Sequence, residues 1–208
     1  MFLATIFSLL AFWMSGIATG LVFAGEAAGA AVPEIEVETN LKTSHYEVKV
    51  SNCSRVEEAL NQARPWKSGE PFDAMTTWKV DWTYCGLRDA SLCKLKSGKV
   101  TVSILITVPR IVFPKNAPSE LKQTWRTYLR DLYEHEEGHA RIATKAVAGV
   151  KQELLTLGSF DSLEELDAAV TGAGNRIIDR CLEKEREYDR TTGHGTHQSL
   201  ASRAQFSR

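Results

Sequence analysis

From Leu121 the large side chains fall at Leu121, Trp125, Tyr128 and Leu132, then at His135, His139, Ile142 and Ala146, in alternating steps of four and three. That is the period of a helix with one face turned to a core, so it predicts a long helix and points both histidines inward. Asn116 or Ser119 can cap its start, Pro118 suits a first turn, and Gly158 supplies a stop, which bounds a helix of about 36 to 40 residues. A second helix is expected from Ser162, where Ser162 and Glu165 have capping-box spacing. Packed antiparallel on the first at about 1.5 Å per residue, it reaches the level of His139 near Ile178. The threonines and glycines of residues 189–195 are expected to end it and fold the backbone over the first helix.

Ahead of the helices the period changes to two. Residues 34–38 and 45–50 alternate charged and apolar side chains, 76–84 alternate around Trp78 and Trp82, and 99–112 are mostly β-branched. These read as strands, with both tryptophans on one strand face and expected in the core. Between them, residues 55–63 have helical spacing through Val56, Leu60 and Ala63, and residues 64–72, with Pro65, Gly69 and Pro71, read as a loop. The order predicts an α+β fold in which an antiparallel β-rich N-terminal unit packs on a long antiparallel helical hairpin.

The N-terminus has a different pattern. Residues 2–24 carry no charged side chain and end in small residues at Val22 and Ala24, which reads as a signal peptide over residues 1–24. The stretch is also about long enough to span a bilayer, so a retained anchor is the alternative, and membrane contact is expected only in that case. Either way the remainder is expected to be secreted or periplasmic. The chain has 208 residues, enough for one domain over 34–195, and residues 196–208 are polar and without periodicity, an expected disordered tail. A net charge of −1, with both signs interspersed, gives no footprint for nucleic acid. The four cysteines, Cys53, Cys85, Cys93 and Cys181, suggest two disulfides in such a compartment, with three pairings open, and no C-x-x-C spacing supports a zinc knuckle.

The chemistry lies in His135-Glu136-Glu137-Gly138-His139, which spells H-E-x-x-H on the long helix, in phase with its buried stripe. Residues four apart share a helix face, so two imidazoles can grip one zinc ion while Glu136, one residue round, reaches a water bound to it. A lone histidine on such a stripe is commonly structural, but a buried pair needs partners for its polar atoms. A catalytic zinc needs a third protein ligand and an open position. The extended pattern, with Gly three and His six residues after the second histidine, fails at Ile142 and Lys145. Glu164 and Glu165 sit at the wrong end of the second helix. That leaves the C-terminal segment, where His194 is the expected third ligand. Asp189 is the alternative ligand, or an acceptor for the N–H of a ligating imidazole. Tyr188 is a candidate oxyanion stabiliser.

The two motifs together, HEEGH at residues 135–139 and YDRTTGHG at 188–195, resemble a bacterial family of predicted secreted zinc-dependent proteases catalogued as a domain of unknown function. The resemblance extends to His45-Tyr46-Glu47-Val48, to Ala74-Met75-Thr76-Thr77-Trp78 with Trp82, and to Cys93 with the strand ending at Val108-Pro109-Arg110, and covers residues 34–195. One departure is Cys181, which lies late in the second helix. The resemblance implies a secreted metallopeptidase acting on a peptide or protein substrate. The residues support the same mechanism: one zinc ion would activate a water and polarise the scissile carbonyl, and Glu136 would act as general base. Two alternatives remain: a structural zinc site in a secreted or envelope-associated protein without hydrolytic activity, and a metal-dependent amidase on a non-peptide envelope substrate.

Overall fold

The β-branched positions of the sequence set the centre of the sheet. In a computed structural model that describes residues 32–66, 72–89 and 91–194, the longest strand is β3 (Leu92–Val112), whose Val100, Val102, Ile104, Ile106 and Val108 all point into the core. β1 (Glu34–Lys49) and β2 (Met75–Asp89) flank it in the order β1-β3-β2, and a two-residue β4 (Ser159–Phe160) pairs with the start of β3. Helix α1 (Val56–Ala63) lies between β1 and β2, and α2 (Ser119–Leu155) and α3 (Leu163–Thr192) form a hairpin packed on one face of the sheet. The fold is α+β, with a sheet on one side and a helical hairpin on the other.

Two features of the sheet differ from the sequence reading. The segment between residues 38 and 45 continues as strand, because β3 is long enough to pair with β1 along its whole length, from Glu34 opposite Ser97 to Lys49 opposite Val112. The sheet is also mixed. β2 and β4 are antiparallel to β3, as expected, whereas β1 is parallel to it. A parallel pair needs a crossover rather than a tight turn. Here α1 and the loop after it carry the chain from one edge of the sheet to the other, and β3 then fills the middle.

Close approaches place α3 against β2. Gly86 follows a register shift at Cys85, and a β-carbon on it would meet Leu166 at 3.0 Å. Near the middle of α3, a β-carbon on Gly174 would come within 2.7 Å of the Trp82 ring. Trp78 and Trp82 thus both face the helices. Ser162 caps α3 by accepting from the Glu165 amide at 3.1 Å, while the Glu165 carboxylate accepts from the Asp161 amide. The start of α2 has no side-chain cap from Asn116 or Ser119.

The hairpin is staggered. Residues 156–162 run past the end of α2 to pair β4 with Cys93 and Lys94 before α3 turns back. As a result Ile177 packs on Gly149, and Tyr188 is the residue against Gly138. The level of His139 is reached by Glu185 and Asp189, roughly two to three turns later on α3 than Ile178.

A smaller core joins α1, the end of β1 and the first turns of α2, with Tyr46, Val48, Val56, Leu60, Trp125 and Tyr128 buried together. Beside it Asp73 is buried against Arg64. Arg64 Nε donates to Asp73 Oδ1 at 2.8 Å, Tyr128 donates to Oδ2, and Tyr46 donates to the Asp73 carbonyl at 2.8 Å. Arg64 Nη2 is 2.7 Å from Oδ1 but not angled to bond it.

The expected disulfides are not formed at Cys53, Cys85, Cys93 or Cys181. Across the β2–β3 ladder Cys85 faces Ser97 and Cys93 faces Arg88. That offset of three residues is about 10 Å, beyond the ~7 Å that a disulfide spans. Cys181 lies well along α3 from Leu163 and Leu166, the residues that cover this end of the sheet. The leader at residues 1–24 and the tail at 196–208 lie outside the described residues. No helix among the described residues is long and apolar enough to cross a membrane.

Candidate metal centre

Four-residue spacing on α2 puts His135 and His139 on the face that meets α3. Their rings stand edge to face at 87° with centroids 4.9 Å apart, and both present Nε2 to a common point, 3.3 Å from one another. The third corner is Asp189 on α3. Its Oδ1 is 3.0 Å from His139 Nε2 and 3.4 Å from His135 Nε2. These three residues form a group able to hold a metal ion, with all ligand atoms within 4.8 Å of one another. Two imidazole nitrogens and a carboxylate oxygen suit a divalent transition metal.

Asp189 occupies this corner because α3, which ends within residues 189–195 as their composition suggested, is still helical at Asp189. The helix continues through Thr192 and closes at Gly193, whose left-handed backbone (φ 58°, ψ 42°) lets its amide and that of His194 bond back to the Asp189 carbonyl. His194 also has positive φ, at 52°. Its Nδ1 is 3.6 Å from Asp189 Oδ1, its ring lies 5.2 Å from that of Phe72, and it is 45% exposed. The expected third ligand is therefore a neighbour of the three-donor group, and the alternative, Asp189, is one of its corners.

Each imidazole is held from behind by its other nitrogen. His139 Nδ1 lies 3.4 Å from Glu185 Oε1, and that oxygen also accepts from Trp78 Nε1 at 2.9 Å. His135 Nδ1 lies 3.4 Å from the Thr192 hydroxyl. Tyr188 stacks on His135 at 15° and stands edge-on to His139, both at 5.1 Å. Its hydroxyl donates to the His135 carbonyl at 3.3 Å, in the seam between the helices. That contact ties the Tyr188 hydroxyl to the backbone of α2 while its ring packs against both imidazoles.

The charges follow from this packing. Burial opposes ionisation of Asp189, yet hydrogen bonds from His135 and His139 and the charges of His139 and His194 outweigh it, holding its carboxyl well below the usual range. Burial likewise disfavours a charged His139, but its bonds to Asp189 and Glu185 raise it to about 10 without a metal. Glu136, 5% exposed, is raised chiefly by burial, against a side-chain hydrogen bond from Thr76 and the nearby imidazoles. Thr76 also donates to the Glu136 carbonyl at 3.1 Å, tying the start of β2 to this turn of α2.

Glu185, Thr192, Gly138 and the indole N–H of Trp78 were not singled out in the sequence. Glu185, Asp189 and Thr192 lie four and three residues apart, one face of a helix, and this signal is visible once α3 is allowed to run past Asp189.

The model of a family described as "Bacterial protein of unknown function (DUF922)" matches residues 43–195, from within β1 to just beyond His194. No curated protein and no solved structure matches the chain.

Proposed function

The chain belongs to this bacterial family of unknown function, and from the site it carries we propose a zinc-dependent metallopeptidase that works outside the cytoplasm. The observation that carries the reading is the triangle of His135 Nε2, His139 Nε2 and Asp189 Oδ1, with sides of 3.0, 3.3 and 3.4 Å. Tetrahedral zinc with ligands at about 2.0–2.2 Å requires ligand-to-ligand distances of about 3.3–3.6 Å, so the donors are close to the spacing such an ion needs.

Zinc held there would supply a Lewis acid for a scissile carbonyl and for a water molecule. The protein's part falls to Glu136. Its carboxylate sits one residue round from the ligands in a buried environment that strengthens it as a base. It takes a proton from the attacking water and delivers it to the leaving nitrogen. The substrate side is β2, an edge strand with no partner on its outer side among the described residues. Thr76 anchors the start of this strand to the Glu136 carbonyl, so a peptide extended along this edge would pass the base with its backbone paired. A purely structural zinc clasp would close the fourth position with a protein donor. The donor group among the described residues stops at three.

The test is zinc content and cleavage of a diverse peptide library by the zinc-loaded protein, beside a Glu136→Gln variant. One equivalent of zinc in both, with cleavage only by the unaltered protein, is the expected result. Equal zinc and no cleavage by either, with hydrolysis of a non-peptide envelope amide instead, would replace the peptidase by an amidase. No stoichiometric zinc would overturn the reading.

A further inference from the structure

Glu185 and Asp189 are one turn apart on the same face of α3, an arrangement in which two carboxylates ordinarily repel. His139 lies between them, with Nδ1 toward Glu185 and Nε2 toward Asp189. Glu185 is only 18% exposed, a cost that a solvent-facing carboxylate would not incur. Its Oε1 is also the acceptor of the Trp78 indole N–H, at 2.9 Å, and Trp78 is nearly buried on the inner face of β2. Trp78, Glu185 and His139 thus form a chain of contacts from sheet edge to metal centre, joining three elements that are far apart in sequence.

We propose that Glu185 is the positioning residue for His139 and that Trp78 fixes Glu185 in that role. The inference rests on the zinc reading above. When Nε2 is a ligand, the one ring proton of a neutral imidazole is on Nδ1, and Glu185 is the carboxylate placed to accept it. An acceptor there sets the tautomer, stops ring rotation and makes Nε2 a better donor to a cation. An indole N–H donates only, so Trp78 holds the carboxylate oxygen without competing for the imidazole proton. His135 has the neutral Thr192 hydroxyl in the equivalent place. The two ligands are therefore held unequally, and His139 is the one tied to the strand beside which substrate would lie.

The experiment compares zinc affinity, by chelator competition, and the visible spectrum of the cobalt-substituted full chain for the unaltered protein, Glu185→Ala, Glu185→Gln and Trp78→Phe. Denaturant unfolding of the metal-free proteins shows that each variant is folded. Loss of the acceptor is expected to weaken zinc about 10- to 100-fold and to shift the cobalt bands. Glu185→Gln, which keeps an acceptor oxygen without the charge, is expected to fall between, and Trp78→Phe to lose a smaller factor with a shift in the same direction. Should the alanine variant not fold, the glutamine variant carries the comparison. A folded Glu185 variant with unaltered zinc affinity and an unaltered cobalt spectrum overturns the role of Glu185, and the same result for Trp78→Phe overturns that of Trp78. Failure of the parent reading looks different, because the unaltered protein itself would then take up no stoichiometric metal.

Discussion

Gly138 and Tyr188 claim the same space from opposite helices: a β-carbon on Gly138 would collide with the hydroxyl and Cζ of Tyr188 and lie 2.6 Å from its Cε1. The glycine inside HEEGH is what lets Tyr188 wedge between the helices and stack on His135. Gly138→Ala gains about 1 kcal/mol of helix propensity, but it must expel an aromatic ring from a packed seam. We expect a net destabilisation of roughly 1–3 kcal/mol by urea unfolding, together with weaker zinc binding. The cost should shrink in a Tyr188→Leu background, since the two residues interact directly.

Asp189 and His194 are separated by one measurement. Asp189→Ala is expected to lower zinc affinity by at least an order of magnitude, because it removes a corner of the donor triangle. His194→Ala should leave one equivalent of zinc bound with an affinity within a few-fold of the unaltered protein. Calorimetric titration of both variants decides the matter, and the reverse order would make His194 the third ligand.

The metal-free protein should depend on pH through His139. Its folded pKa, about 10, lies above the ordinary 6.5, so its contribution to stability is complete below about pH 6.5. It is lost as pH rises through about 10. Zinc must displace that proton from Nε2, so zinc affinity should rise with pH across the same window. Asp189 has the opposite sign: its stabilising contribution is present above the ordinary carboxylate range and is lost as pH falls below it. Melting temperatures of metal-free protein across this range, beside those of His139→Gln, test the first claim. The slope of log affinity against pH tests the second.

Asp73 is expected to matter for folding rather than chemistry. Its carboxylate accepts from Arg64 and Tyr128 in a nearly closed environment. Asp73→Ala leaves the Arg64 charge, whose side chain is 11% exposed, without its partner. Breaking a buried pair from one side costs about 3–5 kcal/mol. Denaturant unfolding should show a loss of that order, while Tyr128→Phe, which removes one hydrogen bond, should cost about 0.5–3 kcal/mol.

Local spacing alone determined the long helix, the inward face of His135 and His139, and the place of Glu136 beside them, because a helix maps sequence separation directly onto direction. The alternating strands and the two inward tryptophans were legible for the same reason. The third corner was not. Whether Asp189 or His194 reaches the imidazoles depends on where α3 stops and on how far residues 156–162 carry the chain before it turns, and the β4 pairing with β3 sets that stagger. The direction of β1 also lay outside any local pattern, since a strand reads the same in a parallel or an antiparallel ladder. Glu185 next to His139, Trp78 next to Glu185 and Tyr188 against Gly138 came from packing alone. Each joins residues dozens of positions apart, and only burial of the helical hairpin on the sheet brings such partners within hydrogen-bond distance.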